Sequence, residues 1–569
     1  MRFRITSWTF LLALFPALWL GGETTLGSPA GPAETVSCSQ FMAPQKDVNG
    51  EMVGQEECLM QDHGIVEPGR KYRRVEIGVT GTLSGWIVKE GARSNHFTSA
   101  PDFYFTQLGN HSTRFHGILQ YEGVKGTSIS LYYPETEWNG KLYVMVHGSG
   151  GSFLTGSMRP WDQYFDPAEP FAPTRFEKVM LEKGYAVARS RRNAERDAPG
   201  DYEAVLDDGQ IWPDQNVAEI PELVLDKAIL VKNFLKDRLG QRPTRTYFYG
   251  KSGGAMMGTL MNYMLQFNPE LNRDPEGTDT IDGFLWDDAG GGMFLPFLIR
   301  DGRDILFRSQ DDTVRFIPAL EIAHLGYPNV FAANAPWMME VKNIPETVST
   351  VFTTNKRTRA RTLHAKGLAR AYRYYEVRGI SHNSGDTLPE DGKRGDTEVL
   401  QLTRLMDALI DRLDNWVEKG IEPPPSRADV NIGFGSHMNA IGMPEVSCPV
   451  GVYHAFPPSR GSGGVGSTAL ALFTGQGIEP VDGRMIYVDM NGNGRRDQRE
   501  TMTEAWRRLG LLKPDETFSR DQYVACVQGT VEALRKGQLL TEKGASLYVE
   551  EARVKQIPPH NLTTRPGSF

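Results

Sequence analysis

Residues 245–258 read RTYFYGKSGGAMMG, and this stretch decides the fold. An apolar, aromatic run typical of a β-strand leads into Gly250-Lys251-Ser252-Gly253-Gly254, and a helix-forming sequence, AMMGTLMNYMLQF, follows at 255–267. The pattern G-x-S-x-G between a strand and a helix is typical of a sharp turn that lifts a serine hydroxyl above a sheet. Such a turn needs glycines, because a Cβ would keep the strand and the helix apart.

A phosphate-binding loop is the competing interpretation of the same glycines. That loop requires G-x-x-x-x-G-K-[ST], so its first glycine would stand at position 245. Arg245 stands there instead, and the turn that wraps phosphates is missing. A serine-bearing elbow is therefore favoured over a phosphate loop or a simple tight turn, since the motif occurs once, with a strand before it and a helix after it.

A second glycine-rich turn follows an apolar strand about a hundred residues earlier. LYVMVHGSGGSF, residues 142–153, runs into His147-Gly148-Ser149-Gly150-Gly151. Acyl transfer develops negative charge on the carbonyl oxygen of the substrate, and two backbone N–H groups must already point towards that oxygen. We expect one N–H from Gly253, the residue after Ser252 in the elbow, and the other from Ser149. A plain glycine-rich turn is the alternative for this loop.

Short apolar runs alternate with helical segments between residues 141 and 420. The runs are KLYVMVHG, GYAVARS, RTYFYGKS, IDGFLW and YRYYEV; IPELVLDKAILVKNFLKDRLG is a predicted helix, and LQLTRLMDALIDRLDNWVEKG is an amphipathic helix that Gly420 ends. This alternation predicts an α/β fold, a mostly parallel sheet with helices on both faces. Residues 71–136 instead alternate in the manner of an antiparallel β region.

These residues resemble the α/β-hydrolase superfamily over about residues 140–420, half of the chain. Within that span, VRGISH and NWVEKGIEPPPSR resemble secreted bacterial α/β-hydrolase-domain proteins of the serine-esterase type. The resemblance implies a serine hydrolase without an organic cofactor, first of all a carboxylic ester hydrolase that uses an acyl-enzyme on a small-molecule or polymeric ester. An amidase or peptidase on the same fold, or a non-catalytic, calcium-stabilised secreted binding protein, are the alternatives.

The superfamily's order along the chain is nucleophile, acid, base, so the base is sought well after Ser252. His382 is favoured, because YRYYEVRGISHNSGD predicts a strand, a glycine turn and then the histidine. A histidine in a surface loop is the alternative for this position. We expect His147 to shape its own loop, and we assign His324 and His364 to helix-like surroundings.

The acid is left open between two stretches. ILFRSQDDTVRF, residues 305–316, predicts a strand followed by Asp311-Asp312, and Asp312 resembles the superfamily's acid because a valine comes two residues later. Asp312 is 70 residues before His382, so a cap insertion, with residues 313–370 as a candidate lid, would intervene. IDGFLWDDAGGG, residues 281–292, offers Asp287 and Asp288 as alternatives after the preceding strand. TVSTVFTTNKRTR, which predicts a strand near the histidine, contains no carboxylate.

The C-terminal region contains the pattern of a calcium loop. DMNGNGRRDQRE, residues 489–500, matches D-x-[DN]-x-[DN]-G-x5-E, which arranges hard oxygen ligands around a glycine turn. DGRMIYV before the loop predicts a strand, TMTEAWRRLGLL after it predicts a helix, and no second loop is visible to pair with it. We therefore expect a single structural Ca²⁺ site rather than a sensor, with a polar Asn-Gly turn as the alternative. Its ligands would be Asp489, Asn491, Asn493, the carbonyl of Arg495, Asp497 and Glu500.

The N-terminus has the pattern of a secretory signal peptide. MRFR puts two arginines before the apolar run ITSWTFLLALFPALWLGG, and small residues follow at 27–33. The run is short for a bilayer and Pro16 interrupts it, so cleavage is favoured over an uncleaved anchor and the mature chain would be secreted or periplasmic. Export favours disulfides, and we expect Cys38–Cys58 and Cys448–Cys526 because each pair lies within one predicted domain.

The length and charge of the chain limit the remaining possibilities. Its 569 residues are too many for one ordinary core, and the formal net charge of −8 argues against a nucleic-acid-binding protein. We divide the chain into a signal peptide at 1–30, an N-terminal β-rich region at 31–136, an α/β-hydrolase domain at 137–425, and a C-terminal region at 426–569 that contains the calcium loop and two or three helices.

Overall fold

The structure is a computed structural model that describes several ranges of the chain. They are 35–42, 55–65, 72–84, 120–121, 127–147, 173–191, 204–205, 211–212, 221–251, 254–255, 258–259, 261–262, 265, 269–289, 299–300, 303–304, 316–325, 356–365, 367–378, 380, 402–433, 435–450, 452–453, 470–471, 502–555 and 557.

Strands and helices alternate along these ranges. The strands are β1 Thr35–Ser37, β2 Gln55–Ile65, β3 Tyr72–Ser84, β4 Gln120–Tyr121, β5 Thr127–Pro134, β6 Lys141–His147, β7 Ala186–Arg191, β8 Ala204–Val205, β9 Ile211–Trp212, β10 Arg245–Lys251, β11 Gly283–Asp287, β12 Ile299–Arg300, β13 Arg303–Asp304, β14 Ala319–Leu325, β15 Tyr372–Arg378, β16 Val452–Tyr453 and β17 Leu470–Ala471. The helices are α1 Arg175–Glu182, α2 Pro221–Leu239, α3 at 356–365, α4 Thr403–Lys419, α5 Pro444–Ser447, α6 Met502–Arg508, α7 Arg520–Lys536 and α8 Glu542–Val554. Helical residues also occur between 254 and 265.

One large sheet organises the described chain. Its strand order is β1-β2-β3-β5-β7-β6-β10-β11-β14-β15, and β4 joins it beside β3. The six strands from β7 to β15 in this order are parallel to their neighbours, whereas β1, β2, β3 and β5 pair antiparallel. The predicted fold class is therefore confirmed, and the predicted N-terminal β strands continue the same sheet.

Helices cover both faces of the parallel part, as buried parallel strands require. One face of the sheet packs against α2, the helical residues 254–265 and α3, with Phe234, Met261 and Leu363 in its core. The other face packs against α1 and α4, with Met180 and Leu409 in its core. Successive residues of β10 alternate between these cores: Phe248 belongs to the first, and Tyr247 and Tyr249 to the second.

Helix α4 agrees with its sequence prediction. It ends where Gly420 adopts a left-handed conformation with φ of 66°, which glycine reaches at little energetic cost. Its acidic side chains also bind the amino-terminal end of the sheet: Asp414 accepts hydrogen bonds from Lys141 Nζ at 2.6 Å and from the Tyr247 hydroxyl at 2.5 Å. These contacts tie α4 to two neighbouring strands, β6 and β10.

Three C-terminal helices, α6, α7 and α8, extend the core on the α4 side. Trp506, Tyr523 and Tyr548 are buried there together with residues of α4. A disulfide joins Cys448, just after α5, to Cys526 in α7, and a second one joins Cys38 to Cys58. Both predicted cysteine pairings are confirmed.

No described helix combines the length and the apolar character that a bilayer span requires.

Two local predictions are wrong. His324, which we assigned to helix-like surroundings, lies in β14, and the last residues of TVSTVFTTNKRTR, predicted as a strand, belong to α3. ALEIAHL in β14 contains mostly residues that favour helices in isolation, but the segment is buried between β11 and β15, and tertiary burial overrides such weak preferences. His364 does lie in a helix, α3.

Candidate active site

The carboxyl end of β10 and the helical residues after it form a very tight turn. β10 ends at Lys251, and Gly254 and Ala255 are already helical. A Cβ on Gly250 would lie 2.4 Å from the carbonyl oxygen of Gly254 and 2.7 Å from the amide nitrogen of Ala255, so only glycine fits. The close approach that the G-x-S-x-G pattern predicts is therefore present, with Ser252 and Gly253 themselves outside the described residues.

The helical residues after this turn are fixed closely on the sheet. A Cβ on Gly258 would lie 2.5 Å from Phe248 and 2.9 Å from the indole nitrogen of Trp286, so this glycine also permits close packing. The side chain of Asn262 donates to the carbonyl oxygen of Ile317 at 2.8 Å and accepts from its N–H at 3.0 Å. The turn is thus held between the central strand and the chain that enters β14.

The loop expected to supply the second oxyanion N–H begins beside this turn. β6 ends at His147, which pairs in register with Lys251 of β10. Two neighbouring parallel strands, each followed in the sequence by glycines, therefore end at the same level of the sheet. Ser149 lies outside the described residues.

The predicted base follows the edge strand β15. This strand ends at Arg378, and Ile380 just beyond it is buried. β15 is the third strand from β10 in the order β10-β11-β14-β15, and all four run parallel. His382 itself lies outside the described residues.

The candidate acids Asp287 and Asp288 lie at the carboxyl end of β11, next to β10. Asp287 pairs in register with Lys251, and Asp288 follows it with φ of 52°, in the left-handed region that non-glycine residues seldom adopt. Asp312 lies outside the described residues. The strand next to β11 is β14, Ala319–Leu325, which Asp312 precedes in the chain, and the strand predicted before Asp312 also lies outside the described residues.

Asp287 is the centre of a buried polar network. Its Oδ2 accepts hydrogen bonds from the Tyr249 hydroxyl at 2.7 Å and from Lys251 Nζ at 2.9 Å. Its Oδ1 lies 2.7 Å from Nε2 of His324, and the side chains of Asp287, His324 and Lys251 are at most 1% exposed. Four side chains thus connect the three parallel strands β10, β11 and β14 directly under the turn. We call these side chains the elbow network: Tyr249, Lys251, Asp287 and His324.

Electrostatics favour the ionised form of Asp287. Burial by itself raises the pKa of this carboxyl group, but Lys251 and His324 outweigh that effect by their charge and hydrogen bonding. The pKa of Asp287 is therefore held well below its ordinary value. The carboxylate is a fixed negative charge at neutral pH.

A second set of buried ion pairs ties α3 to the other face of the same strands. Lys356 pairs with Asp288, and the backbone N–H of His324 also donates to Asp288 at 2.9 Å. One turn along, Arg359 pairs with Glu321 of β14. The partner of Asp288 thus comes from α3 on one face of the sheet, whereas Asp287 contacts Tyr249 and Lys251 on the other.

Sequence reasoning missed Lys251, Tyr249 and His324. The alternation of β10 could have indicated the first two, because Tyr247, Tyr249 and Lys251 follow one another at a spacing of two and must share a face. His324 could not be found this way, since its strand was taken for a helix. No pattern in the sequence predicts that these side chains converge on Asp287.

Among the described residues, no group of three or more histidine, cysteine, aspartate or glutamate side chains is arranged to hold a metal ion. The predicted Ca²⁺ ligands at 489–500 lie outside the described residues. The described chain resumes at α6, Met502–Arg508, which agrees with the helix predicted after the loop.

Acid should remove the contribution of Asp287 to stability. A carboxyl whose pKa is lower in the folded than in the unfolded chain stabilises the fold above the unfolded pKa of about 4, and this contribution is lost as the pH falls towards the folded pKa. We expect D287N to lower the free energy of unfolding by about 3 to 5 kcal/mol at pH 7, because it leaves the buried Lys251 ammonium without its carboxylate. This difference should shrink between pH 4 and pH 2, as measured by urea unfolding. D521N, at an exposed helix start, should differ little from the unsubstituted protein; equal effects of D287N at pH 7 and pH 2 would contradict the prediction.

Comparisons with known proteins agree with this architecture. The sequence profile of the family described as "Alpha/beta hydrolase domain" matches residues 225–548, more than half of the chain. The search of curated proteins found no significant match.

Among solved structures, the chain is similar to several hydrolases. The poly(3-hydroxybutyrate) depolymerase LpqC from Bordetella parapertussis is 13% identical, with 57% of this chain and 96% of that chain covered and a TM-score of 0.29. An esterase from Rhizomucor miehei is 10% identical, with 57% and 91% covered and a TM-score of 0.30. Carboxyl esterase 2 from the fungus Tuber melanosporum is 13% identical, with 49% and 80% covered and a TM-score of 0.26. Similarities at this level carry no information about the substrate.

Proposed function

The chain belongs to the alpha/beta hydrolase domain family, and from this premise we propose that it is an exported serine hydrolase that cleaves carboxylic esters. The observation that carries the proposal is the close approach of Gly250 to Gly254 and Ala255 at the end of the central strand. A strand-to-helix turn this tight has room for glycine alone at position 250, and it has the residue spacing of a nucleophile elbow around Ser252.

In the proposed reaction, the Ser252 hydroxyl attacks the ester carbonyl carbon while His382 takes its proton. The tetrahedral intermediate collapses to an acyl-enzyme, and the proton passes from His382 to the departing alcohol. Water then attacks the acyl-enzyme with His382 as the base, which releases the acid and restores Ser252. The N–H groups of Ser149 and Gly253 stabilise the oxyanion in both steps.

The acid that orients His382 is proposed to be Asp288, with Asp312 as the alternative. Asp288 lies at the carboxyl end of β11, one strand from the elbow, whereas Asp312 comes before β14. The positive φ of Asp288 is a backbone conformation that costs energy, and such conformations concentrate at functional positions. Asp287 is the weaker choice of the two neighbours, because both of its oxygens already face Tyr249, Lys251 and His324.

Replacing the acid should distinguish these residues. We expect D288N to lower kcat by roughly 10⁴-fold, because the imidazole loses the partner that sets its orientation and tautomer. D312N should stay within about threefold of the unsubstituted enzyme. The measurement is kcat on a p-nitrophenyl ester, with the melting temperature of each variant recorded.

E321Q is the matched control for D288N, because it breaks a buried ion pair between α3 and the neighbouring strand β14. It should lower stability in the same way and leave kcat nearly unchanged. A large loss of kcat in D312N, with D288N active, would transfer the role to Asp312.

Export is proposed from the signal-like N-terminus together with the two disulfides. Cys38–Cys58 and Cys448–Cys526 use all four cysteines of the chain. Disulfides of this kind form and persist in oxidising compartments. Secretion or transfer to a periplasm supplies such a compartment.

We propose that the loop 489–500 binds one structural Ca²⁺. Removing the ion with EDTA should lower the melting temperature, because a ligand that binds only the folded state stabilises it by about 2.7 kcal/mol when present at 100 times its Kd. The double substitution D489N/E500Q should abolish this response to EDTA. Adding Mg²⁺ in place of Ca²⁺ should restore less of the melting temperature, since Mg²⁺ fits flexible seven-oxygen sites poorly. An identical melting temperature with EDTA and with Ca²⁺ would contradict the site.

Covalent labelling tests the serine-hydrolase proposal as a whole. A fluorophosphonate should modify Ser252, identified by peptide mass mapping, and p-nitrophenyl esters should be hydrolysed in proportion to the unlabelled fraction. A non-catalytic calcium-stabilised binding protein would not be labelled. Labelling with turnover of anilides and no turnover of esters would instead indicate an amidase or peptidase.

A further inference from the structure

A buried cation stands immediately before the proposed nucleophile. Lys251 is fully buried, and its Nζ lies 2.9 Å from Oδ2 of Asp287 on the neighbouring strand. Lys251 is the residue directly before Ser252, and adjacent Cα atoms are about 3.8 Å apart. The ion pair therefore holds the residue next to the proposed nucleophile. The last residue of the central strand is therefore held by a side chain as well as by the strand register.

A buried ion pair is a poor way to stabilise a fold. Removing two charges from water costs so much that well-packed apolar residues of similar volume often stabilise a core equally well or better. The register of β10 with β6 and β11 already fixes the backbone up to Lys251. The ion pair is therefore not required to fix the backbone of β10 at this position.

The surroundings of Asp287 give the pair a defined geometry. The Tyr249 hydroxyl binds the same oxygen as Lys251, and His324 faces the other oxygen from β14. Tyr249 and Lys251 leave β10 on the same face, and both end on one carboxylate. Rotation of either side chain would leave a polar group buried without its present partner, so the network has little freedom.

We propose that Lys251 and Asp287 are positioning residues that hold the turn carrying Ser252 in its reactive geometry, an inference that rests on the proposed serine-hydrolase function. Lys251 cannot rotate away from Asp287 without leaving a buried charge unpaired. Its backbone, and with it the first dihedral angles of the turn, is therefore restrained. Reactivity falls steeply when a nucleophile is displaced by about 1 Å.

The principal test compares K251M with K251M/D287N. K251M removes the ammonium group that pairs with Asp287, and it should lower both the melting temperature and the activity. In the double variant no unpaired carboxylate remains, so much of the lost melting temperature should return. If the pair positions Ser252, kcat and the rate of fluorophosphonate labelling should stay at least tenfold below the unsubstituted values, with KM changed less than threefold.

A matched control exists for the loss of a buried lysine. Lys232 of α2 lies 2.7 Å from Asp274, and both side chains are at most 2% exposed. This pair is close to the amino end of β11, because Asp274 lies in the loop that enters that strand. K232M should therefore lower the melting temperature and leave kcat and the labelling rate unchanged.

A milder pair of variants decides the question if the double variant does not fold. Y249F and Y247F each remove one hydroxyl from the same face of β10, and each hydroxyl donates to an aspartate, Asp287 for Tyr249 and Asp414 for Tyr247. We expect Y249F to lower kcat about threefold to tenfold at unchanged KM, and Y247F to leave kcat unchanged.

The outcomes separate the two proposals. Recovery of kcat and labelling to within twofold in a folded K251M/D287N protein, or equal kcat values for Y249F and Y247F, would overturn the positioning role and leave the serine hydrolase intact. Failure of the unsubstituted protein to react with a fluorophosphonate would overturn the hydrolase proposal and the positioning role with it.

Discussion

Replacement of Ser252 by alanine should lower kcat for ester hydrolysis by roughly 10⁶-fold, the loss typical of a removed serine nucleophile. Without the hydroxyl no acyl-enzyme forms, and water must attack the ester directly. KM should change little, because the hydroxyl contributes to the transition state far more than to substrate binding. The measurement is steady-state hydrolysis of a p-nitrophenyl ester, with residual rates compared with those of buffer.

The controls for S252A concern folding and site selectivity. Thermal unfolding should be nearly unchanged, since Gly250 and Gly258 permit the close packing around the turn. S436A, which removes a hydroxyl that donates to Gly433 in a loop outside the proposed site, should retain full activity and full fluorophosphonate labelling. Activity of S252A within a hundredfold of the unsubstituted protein would exclude Ser252 as the nucleophile.

The central part of the fold could be predicted because several signals agreed there. RTYFY is aromatic and apolar, the glycines after it break the strand, and the next residues favour helix; β10 and the helical residues from Gly254 onwards follow that pattern. Helices α2 and α4 were likewise evident from their length and periodicity. Local preference and global burial pointed to the same structure in these segments.

Prediction failed where burial opposed local preference. ALEIAHL forms β14 although its alanines, leucines and glutamate favour helix, because hydrogen bonding to β11 and β15 buries it on both sides. The strand predicted before Asp312, and Asp312 itself, lie outside the described residues, so the position of this acid stays a prediction.

The elbow network was beyond sequence analysis for a different reason. Tyr249, Lys251, Asp287 and His324 span 76 positions of sequence, and they meet only because β10, β11 and β14 are neighbours in the sheet. Strand order between parallel strands is decided by long-range packing, and spacing along the chain carries little information about it. The doublet Asp287-Asp288 was visible in the sequence, but its division between the two faces of the sheet was not.

Replacement of His382 by alanine should lower kcat by roughly 10⁵- to 10⁶-fold, nearly as much as loss of the nucleophile, because a serine hydroxyl is unreactive without a base. The distance is compatible with this role. Three strand spacings of about 4.8 Å separate β15 from β10, or about 14 Å, and the four residues from Arg378 to His382 span up to about 13 Å when extended. The loop after β15 and the elbow after β10 therefore need to cover this gap from both sides.

The pH profile makes the test of His382 specific. In H382A the residual activity should lose the acid limb that a titrating imidazole imposes on kcat/KM and should rise with hydroxide concentration instead. H437A, at an exposed histidine beyond the sheet, should keep both the rate and the profile. Among the described histidines, His324 is the candidate to take the role of His382, since its Nε2 lies 2.7 Å from Asp287. Full activity in H382A together with a 10⁵-fold loss in H324Q would assign the base to β14, and the elbow network would then be the catalytic centre itself and not its support.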